Sequence, residues 1–338
     1  MGKEEKLLAE PVLKAENVTK YFDIGGGLFK KADKVHAVEN VSFSLYDGET
    51  LGIVGESGSG KSTLARVILG LVPITSGKVF YNGNDITGIK GPNAKYLRQE
   101  LQMVFQDPYA SLNPRLKIGN AIMEPMLVNK VVQTKEDAKK RTLELLELVG
   151  LHAQAADRFP HEFSGGQRQR VGIARALAMN PKILICDESV SALDVSVQAQ
   201  ILNLFNKLKK QLKLTYMFIG HDLSVVKYIS DRILVMYLGE VIEMAETEEL
   251  FSHTLHPYTK ALISAIPLPT TEKQDDRILL EGDIPSTVNP PSGCRFCMRC
   301  FMAKEKCRHE HPKLEEIRPG HFVSCHYWNE LEGGAEID

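Results

Sequence analysis

An α/β fold with a largely parallel sheet is what this sequence predicts, and three observations carry the prediction. Over residues 164–240, helix-period segments alternate with short apolar runs, the pattern of strands joined by crossover helices. A glycine-rich turn, Gly55-Glu56-Ser57-Gly58-Ser59-Gly60-Lys61-Ser62, lies between the strand-like LGIV and the helical TLARVILGLV. A second apolar run, Lys182-Ile183-Leu184-Ile185-Cys186, ends in two adjacent acids, Asp187 and Glu188.

Taken in order, residues 11–54 read as strands. VLKAENVTKYF and AVENVSFSLYDGETLGIVG place apolar and β-branched residues at near-alternate positions, the period of a half-buried strand. Between them, glycines 25–27 with Lys30, Lys31 and Lys34 form a glycine-rich basic loop. Residues 91–163 read as helical. Within 135–151, Ala138, Leu145, Leu146 and Leu148 keep helical spacing and Gly150 supplies a stop. Ile201, Leu204, Phe205, Leu208 and Leu212 mark one face of a later helix. Residues 183–185 and 216–219 are apolar runs of the buried-strand type. The stretch 267–292 is proline-rich and irregular and reads as a linker.

Composition bounds the function. The 338 residues predict about two domains. With 41 basic against 43 acidic residues the net charge is −2, which argues against a general nucleic-acid binder. No apolar run reaches the roughly 18–20 residues of a membrane span, and MGKEEKLLAE has no apolar core to act as a signal peptide. The expectation is a cytosolic chain whose membrane work would need partners. Cys186 alone lies in the body; Cys294, Cys297, Cys300, Cys307 and Cys325 fall near the end, a density at which disulfide or metal scaffolds are expected. A reducing cytosol favours metal. The Cys-x2-Cys-x2-Cys-x6-Cys spacing from Cys294 to Cys307 crowds thiolates along one loop, as zinc and iron–sulfur sites do. Four ligands suffice, so one cysteine is surplus, and His309, His311, His321 and His326 are alternative ligands.

The glycine-rich turn matches GxxxxGK[ST] in full. Gly55, Gly58 and Gly60 let the backbone wrap until its N–H groups, with those of Ser57 and Ser59, cradle phosphate oxygens. The following helix, from Thr63, points its positive end at the same charge. Lys61 suits the β- and γ-phosphates and Ser62 suits Mg²⁺. At the acidic strand end, Asp187 suits the metal and Glu188 suits a base that orients the attacking water.

Ser164-Gly165-Gly166-Gln167 narrows the class. Read as FSGGQRQRVGIARALAMNPKILICDE, it resembles the LSGGQ signature of ATP-binding cassette (ABC) transporter ATPases, with Phe163 where leucine is usual; Ser164 also suits a helix N-cap. The resemblance implies an ABC-type P-loop ATPase core, a parallel sheet with an antiparallel β subdomain, plus a helical subdomain and a small cysteine-rich extension. It assigns Gln106, in MVFQDP, to Mg²⁺, water and the sensing of membrane subunits. Ser191-Ala192-Leu193-Asp194 matches the segment that crosses the dimer interface, His221, in FIGHDL, the histidine at the γ-phosphate, and Phe22 or Tyr21 the aromatic on which adenine stacks. By motif order the chain divides into 1–106 (β subdomain and first part of the core), 107–163 (helical subdomain), 164–240 (second part of the core), 241–292 (extension and linker) and 293–338 (cysteine-rich tail).

GESGSGKST, FQDPYASLNPR and HPYTKAL, followed by a GCRF…C…C…C tail, resemble the oligopeptide and dipeptide importers, and FQDPYASLNPR the F-type member of their two ATPase subunits. What this implies is an ATPase on the cytoplasmic face of the membrane, paired with a second, D-type ATPase subunit. The pair would work beneath two permease subunits and with an extracytoplasmic binding protein. Two ATP molecules would be sandwiched between the phosphate loop of one chain and the SGGQ of the other. Related systems carry nickel, glutathione or sugars. Non-transport cassette ATPases show paired cassettes, long coiled coils or a basic excess, which this sequence lacks. The family's cysteine pattern falls on Cys294, Cys300, Cys307 and Cys325, with Cys297 the extra one, and implies a [4Fe–4S] cluster, with zinc the alternative.

Overall fold

The computed structural model describes residues 10–25, 32–107, 111–267 and 277–332. In chain order the elements are β1 (Leu13–Ile24), β2 (Asp33–Leu45), β3 (Thr50–Val54), α1 (Lys61–Ile68), β4 (Ser76–Tyr81), β5 (Asn84–Asp85), α2 (Pro92–Glu100), β6 (Leu101–Val104), α3 (Ile118–Val128), α4 (Lys135–Leu148), α5 (Gly165–Leu177) and β7 (Ile183–Asp187). There follow α6 (Val195–Leu212), β8 (Thr215–Gly220), α7 (Leu223–Ile229), β9 (Arg232–Tyr237), β10 (Glu240–Glu246), α8 (Thr247–Ser252), α9 (Pro257–Ser264), α10 (Glu305–His309), β11 (Glu315–Arg318), β12 (His321–Val323) and α11 (Trp328–Glu332). They form two compact units that interleave in sequence: the described parts of Met1–Leu45, Leu51–Thr87 and His221–Asp338, and Tyr46–Thr50 with the described parts of Gly88–Gly220. The five segments above follow motif order, whereas these units follow packing.

In the first unit β1 pairs antiparallel with β2 and β4, and β4 with β5. A second sheet runs β11-β12-β10-β9-β3, antiparallel except where β3 and β9 lie parallel, Leu51 opposite Arg232 through Val54 opposite Val235. Leu238 and Gly239 join β9 to β10 at φ +44° and +88°, the two positive-φ positions of a hairpin turn whose twist suits the strands it joins. β10, which begins at the expected core boundary near residue 240, pairs antiparallel with β9, and the tail adds β12 to the same sheet by pairing Val323 with Glu243. Cross-strand pairing at that distance leaves no local periodicity to read.

In the second unit β6, β7 and β8 are parallel. Every residue of β7 and β8 is buried, which explains their unbroken apolar composition: both faces of such a sheet are covered. β6 corrects the all-helical reading of 91–163. Its four residues, LQMV, follow directly on α2 and are too few to show a strand period. Helix starts are written in the sequence: Thr134 and Asp137 form a reciprocal capping box on α4, and Asp194 accepts from the Val197 N–H at 2.9 Å to cap α6. On α6, Ile201, Leu204, Phe205 and Leu208 are buried, each worth roughly 1.5–3 kcal/mol. Leu212, expected on that face, lies exposed in the last turn.

Residues 277–292 contain neither helix nor strand, as the proline content predicts. Gly26, Gly27, Lys30 and Lys31 of the basic loop, residues 108–110 of FQDPYASLNPR, and residues 268–276 lie outside the described residues. Among the described residues no helix is long and apolar enough to cross a membrane.

Candidate functional site

The predicted nucleotide residues divide between the two units. In the first, β3 delivers Gly55 and the loop closes onto α1. Gly60, the residue before the helix, has φ +100°, and a Cβ there would stand 2.2 Å from the Ala37 carbonyl oxygen; only glycine meets both demands. The first turn of α1 carries no side-chain cap and no acid, so Lys61, Ser62 and Thr63 present helix N-terminal amides. Lys61 is 4% exposed. Its ammonium donates to the carbonyls of Gly55 and Glu56, each at 2.8 Å, and to Ser59 Oγ at 3.3 Å, which centres a positive charge inside the loop.

The same unit holds the two aromatic candidates, and they differ. The Tyr21 hydroxyl donates to Glu39, its ring packs 4.3 Å from His36, and burial together with the Glu39 contact pushes its pKa up to about 12. Phe22 is 39% exposed, with Lys20 Nζ 4.8 Å above its ring. His221 is exposed beside Asp222, which caps α7 by accepting from the Ser224 N–H at 2.9 Å.

In the second unit the structure brings Gln106 and Glu188 together: Gln106 Nε2 donates to Glu188 Oε2 at 2.7 Å. Asp187 ends β7 only 3% exposed. Glu188 turns the chain at φ +44°, a left-handed conformation unusual outside glycine and concentrated at functional sites. Its N–H donates to the Ile219 carbonyl at 3.0 Å and its carbonyl accepts from Ser191 Oγ at 2.9 Å. Ser164 caps α5 in a reciprocal box with Gln167. Gly166 had no stated reason in the sequence beyond its motif: a Cβ there would stand 2.3 Å from Val197 Cγ1, so the absent side chain lets α5 and α6 meet.

All five tail cysteines line one small cavity, with Phe296. They are free thiols. Burial is the main upward influence on four of them, pushing Cys294 and Cys300 up to about 12 and Cys325 up to about 11, and raising Cys297 as well. No group of three or more His, Cys, Asp or Glu among the described residues is arranged to hold a metal ion. Of the alternative ligands, His326 lines the cavity. His309, His311 and His321 instead contact Glu305, Glu240 and Glu243. Sequence reasoning missed Tyr258, Arg295 and Arg299, which touch Glu56 and the β9–β10 turn. Arg295 and Arg299 sit among the cysteines, whose spacing carried the only readable signal there.

Comparison with known proteins is consistent across the chain. Residues 38–191 match the family described as ABC transporter, and residues 242–307 match the oligopeptide/dipeptide transporter C-terminal region. The chain is 50% identical over 326 residues to oligopeptide transport ATP-binding protein AppF of Bacillus subtilis, covering 95% of this chain and 98% of that one. It is 48% identical over 315 residues to dipeptide transport ATP-binding protein DppF of Haemophilus influenzae, covering 93% and 96%. Among solved structures, a dimeric bacterial ABC transporter cassette superposes with a TM-score of 0.62 at 32% identity over 70% of this chain and 98% of its own. The loop around Lys61, the acids at the end of β7, the capped SGGQ helix and these similarities together place the chain in the ABC transporter ATPase family, with the C-terminal region of its oligopeptide/dipeptide members.

Proposed function

We propose that this chain is the F-type ATP-hydrolysing subunit of an importer for di- and oligopeptides. The observation that carries the hydrolytic part is the Gln106–Glu188 hydrogen bond. A carboxylate held by an amide at a buried strand end is placed to orient water and accept its proton. Lys61 and the amides of 55–63 bind the phosphates, Phe22 serves adenine, and His221 serves the γ-phosphate. Ser164, Gly165, Gly166 and Gln167 serve the nucleotide of the partner chain through their helix N-terminus. Ser62, Gln106 and Asp187 are the residues for Mg²⁺, which neutralises charge on the phosphate oxygens; the buried Asp187 carboxylate fits a cation partner.

The names of the relatives support the peptide cargo. Partners are a D-type ATPase subunit, two permeases and an extracytoplasmic binding protein, with the chain on the cytoplasmic face. Within the second unit, Arg98, Phe105, Ser111, Gln169, Arg175 and Met179 line a cavity of about 360 Å³. Among the described residues Gln169 Nε2, buried there, has no hydrogen-bond partner, a cost that an incoming polar segment would relieve. Phe105 adjoins Gln106, so a permease segment seated there reaches the hydrolytic pair through one peptide bond.

The five-thiol cavity supports a thiolate-bound centre, a [4Fe–4S] cluster or zinc at Cys294, Cys300, Cys307 and Cys325 with Cys297 as the alternative. Soft thiolates suit both. Anaerobic purification with iron, sulfide and zinc assays decides: a colourless protein with one zinc overturns the cluster. For transport, cells lacking this chain should lose labelled di- or oligopeptide uptake and regain it with the wild type but not with Glu188→Gln. Normal peptide uptake alongside lost nickel, glutathione or oligosaccharide uptake overturns the peptide cargo.

A further inference from the structure

The cysteine-rich tail reaches the phosphate loop. Arg299, between Cys297 and Cys300, pairs through both terminal nitrogens with the Glu56 carboxylate, Nη1 to Oε2 at 2.7 Å and Nη2 to Oε1 at 3.1 Å. The Arg299 side chain is 8% exposed and that of Glu56 26%, so the pair is largely withdrawn from solvent screening. The Glu56 N–H donates to the Tyr258 hydroxyl at 2.8 Å. Glu56 directly follows Gly55, and its carbonyl is one of those receiving Lys61. Phe296, buried, meets Tyr237 and Tyr258 edge to face at 5.2 and 5.4 Å and anchors the segment that carries both arginines. Arg295 donates to the Leu238 carbonyl and to Glu39, and the Gly239 N–H donates to the Ser59 carbonyl at 3.0 Å. The loop is thus held at Glu56 and at Ser59 by contacts that originate in, or pass to, the tail.

We propose that Arg299 and Tyr258 are positioning residues for the phosphate loop, with Arg299 also neutralising the Glu56 carboxylate beside the nucleotide phosphates. The proposal rests on the reading of 55–62 as the phosphate site. A bidentate guanidinium fixes a carboxylate in orientation as well as charge, and a loop already in its binding conformation loses less entropy when nucleotide arrives. Without Arg299, Glu56 presents an unpaired negative charge to a polyanion.

The test is nucleotide binding to the full-length chain, with ATP and ADP dissociation constants measured beside melting temperatures. Arg299→Gln should weaken ATP by at least about tenfold, and ADP less, since ADP carries less charge. Tyr258→Phe keeps the ring and should weaken both nucleotides with little change in melting temperature. Adding Glu56→Gln to Arg299→Gln should restore most of the ATP affinity, which a purely structural arginine would not allow. Wild-type affinity in both single variants, or a double variant as weak as Arg299→Gln, overturns the proposal. If Arg299→Gln fails to fold, Tyr258→Phe decides alone. A wild-type chain that binds no ATP, or a Lys61→Ala chain that binds it normally, defeats the phosphate-site reading instead.

Discussion

Gln106 Nε2 donates a 2.7 Å hydrogen bond to Glu188 Oε2, joining a residue just past β6 to one just past β7. Parallel pairing of β6 with β7, Val104 opposite Cys186, brings both strand ends to one edge. Ligand sites of open α/β sheets gather at such carboxyl ends.

Glu188→Gln should therefore keep ATP binding while lowering turnover by about 10²–10⁴-fold, the usual contribution of a positioned base. Gln106→Ala should lower turnover less, because it removes the group that orients the base. Single-turnover hydrolysis with a parallel binding measurement separates the two, and a Glu188→Gln enzyme with near-normal turnover refutes the assignment.

Phe22→Ala should cost about 1–3 kcal/mol of ATP affinity, the scale of base–aromatic stacking. Tyr21→Phe should leave affinity unchanged, because Tyr21 is occupied by Glu39 and His36; its cost falls on stability, about 1 kcal/mol for a lost hydrogen bond. Titration of ATP against both variants distinguishes the rings.

Gly166→Ala places a methyl group against Val197 Cγ1 and should destabilise the chain by about 1–3 kcal/mol, the usual cost of overpacking. Val197→Ala in the same chain removes the clashing atom and should recover most of the loss in thermal unfolding.

Acid sensitivity should trace in part to Glu249. Burial works against its charge, but hydrogen bonds from Arg318, His321 and His253 outweigh it and hold its pKa down at about 2, against 4.5 when free. A depressed folded-state value means stability that is present above pH 4.5 and lost as pH falls toward 2. Glu249→Gln should be less stable than wild type at neutral pH, and the gap should close across that window in denaturant titrations at stepped pH.

Much of this chemistry was legible without coordinates because it is local. The loop 55–62, the SGGQ cap and the acids at the end of β7 each need only a short segment to form, since the contacts of a glycine-rich loop or a helix cap lie within a few residues of one another. β7 and β8 were legible for a related reason: full burial leaves an unbroken apolar run. β6 was not, being four residues long and abutting a helix.

By itself, then, the sequence determined the glycine-rich loop, the acidic strand end, the SGGQ segment whose resemblance names the ATPase family, and the existence of a cysteine-rich tail, because those are patterns of neighbours in the chain. Only the tertiary structure decided which neighbours those segments keep. It set Phe22 apart from Tyr21, joined Gln106 to Glu188 across 82 positions, gathered five thiols around one cavity and carried Arg299 across 243 positions to Glu56. Such pairings depend on strand register and burial, which distant parts of the chain settle together and no single segment encodes.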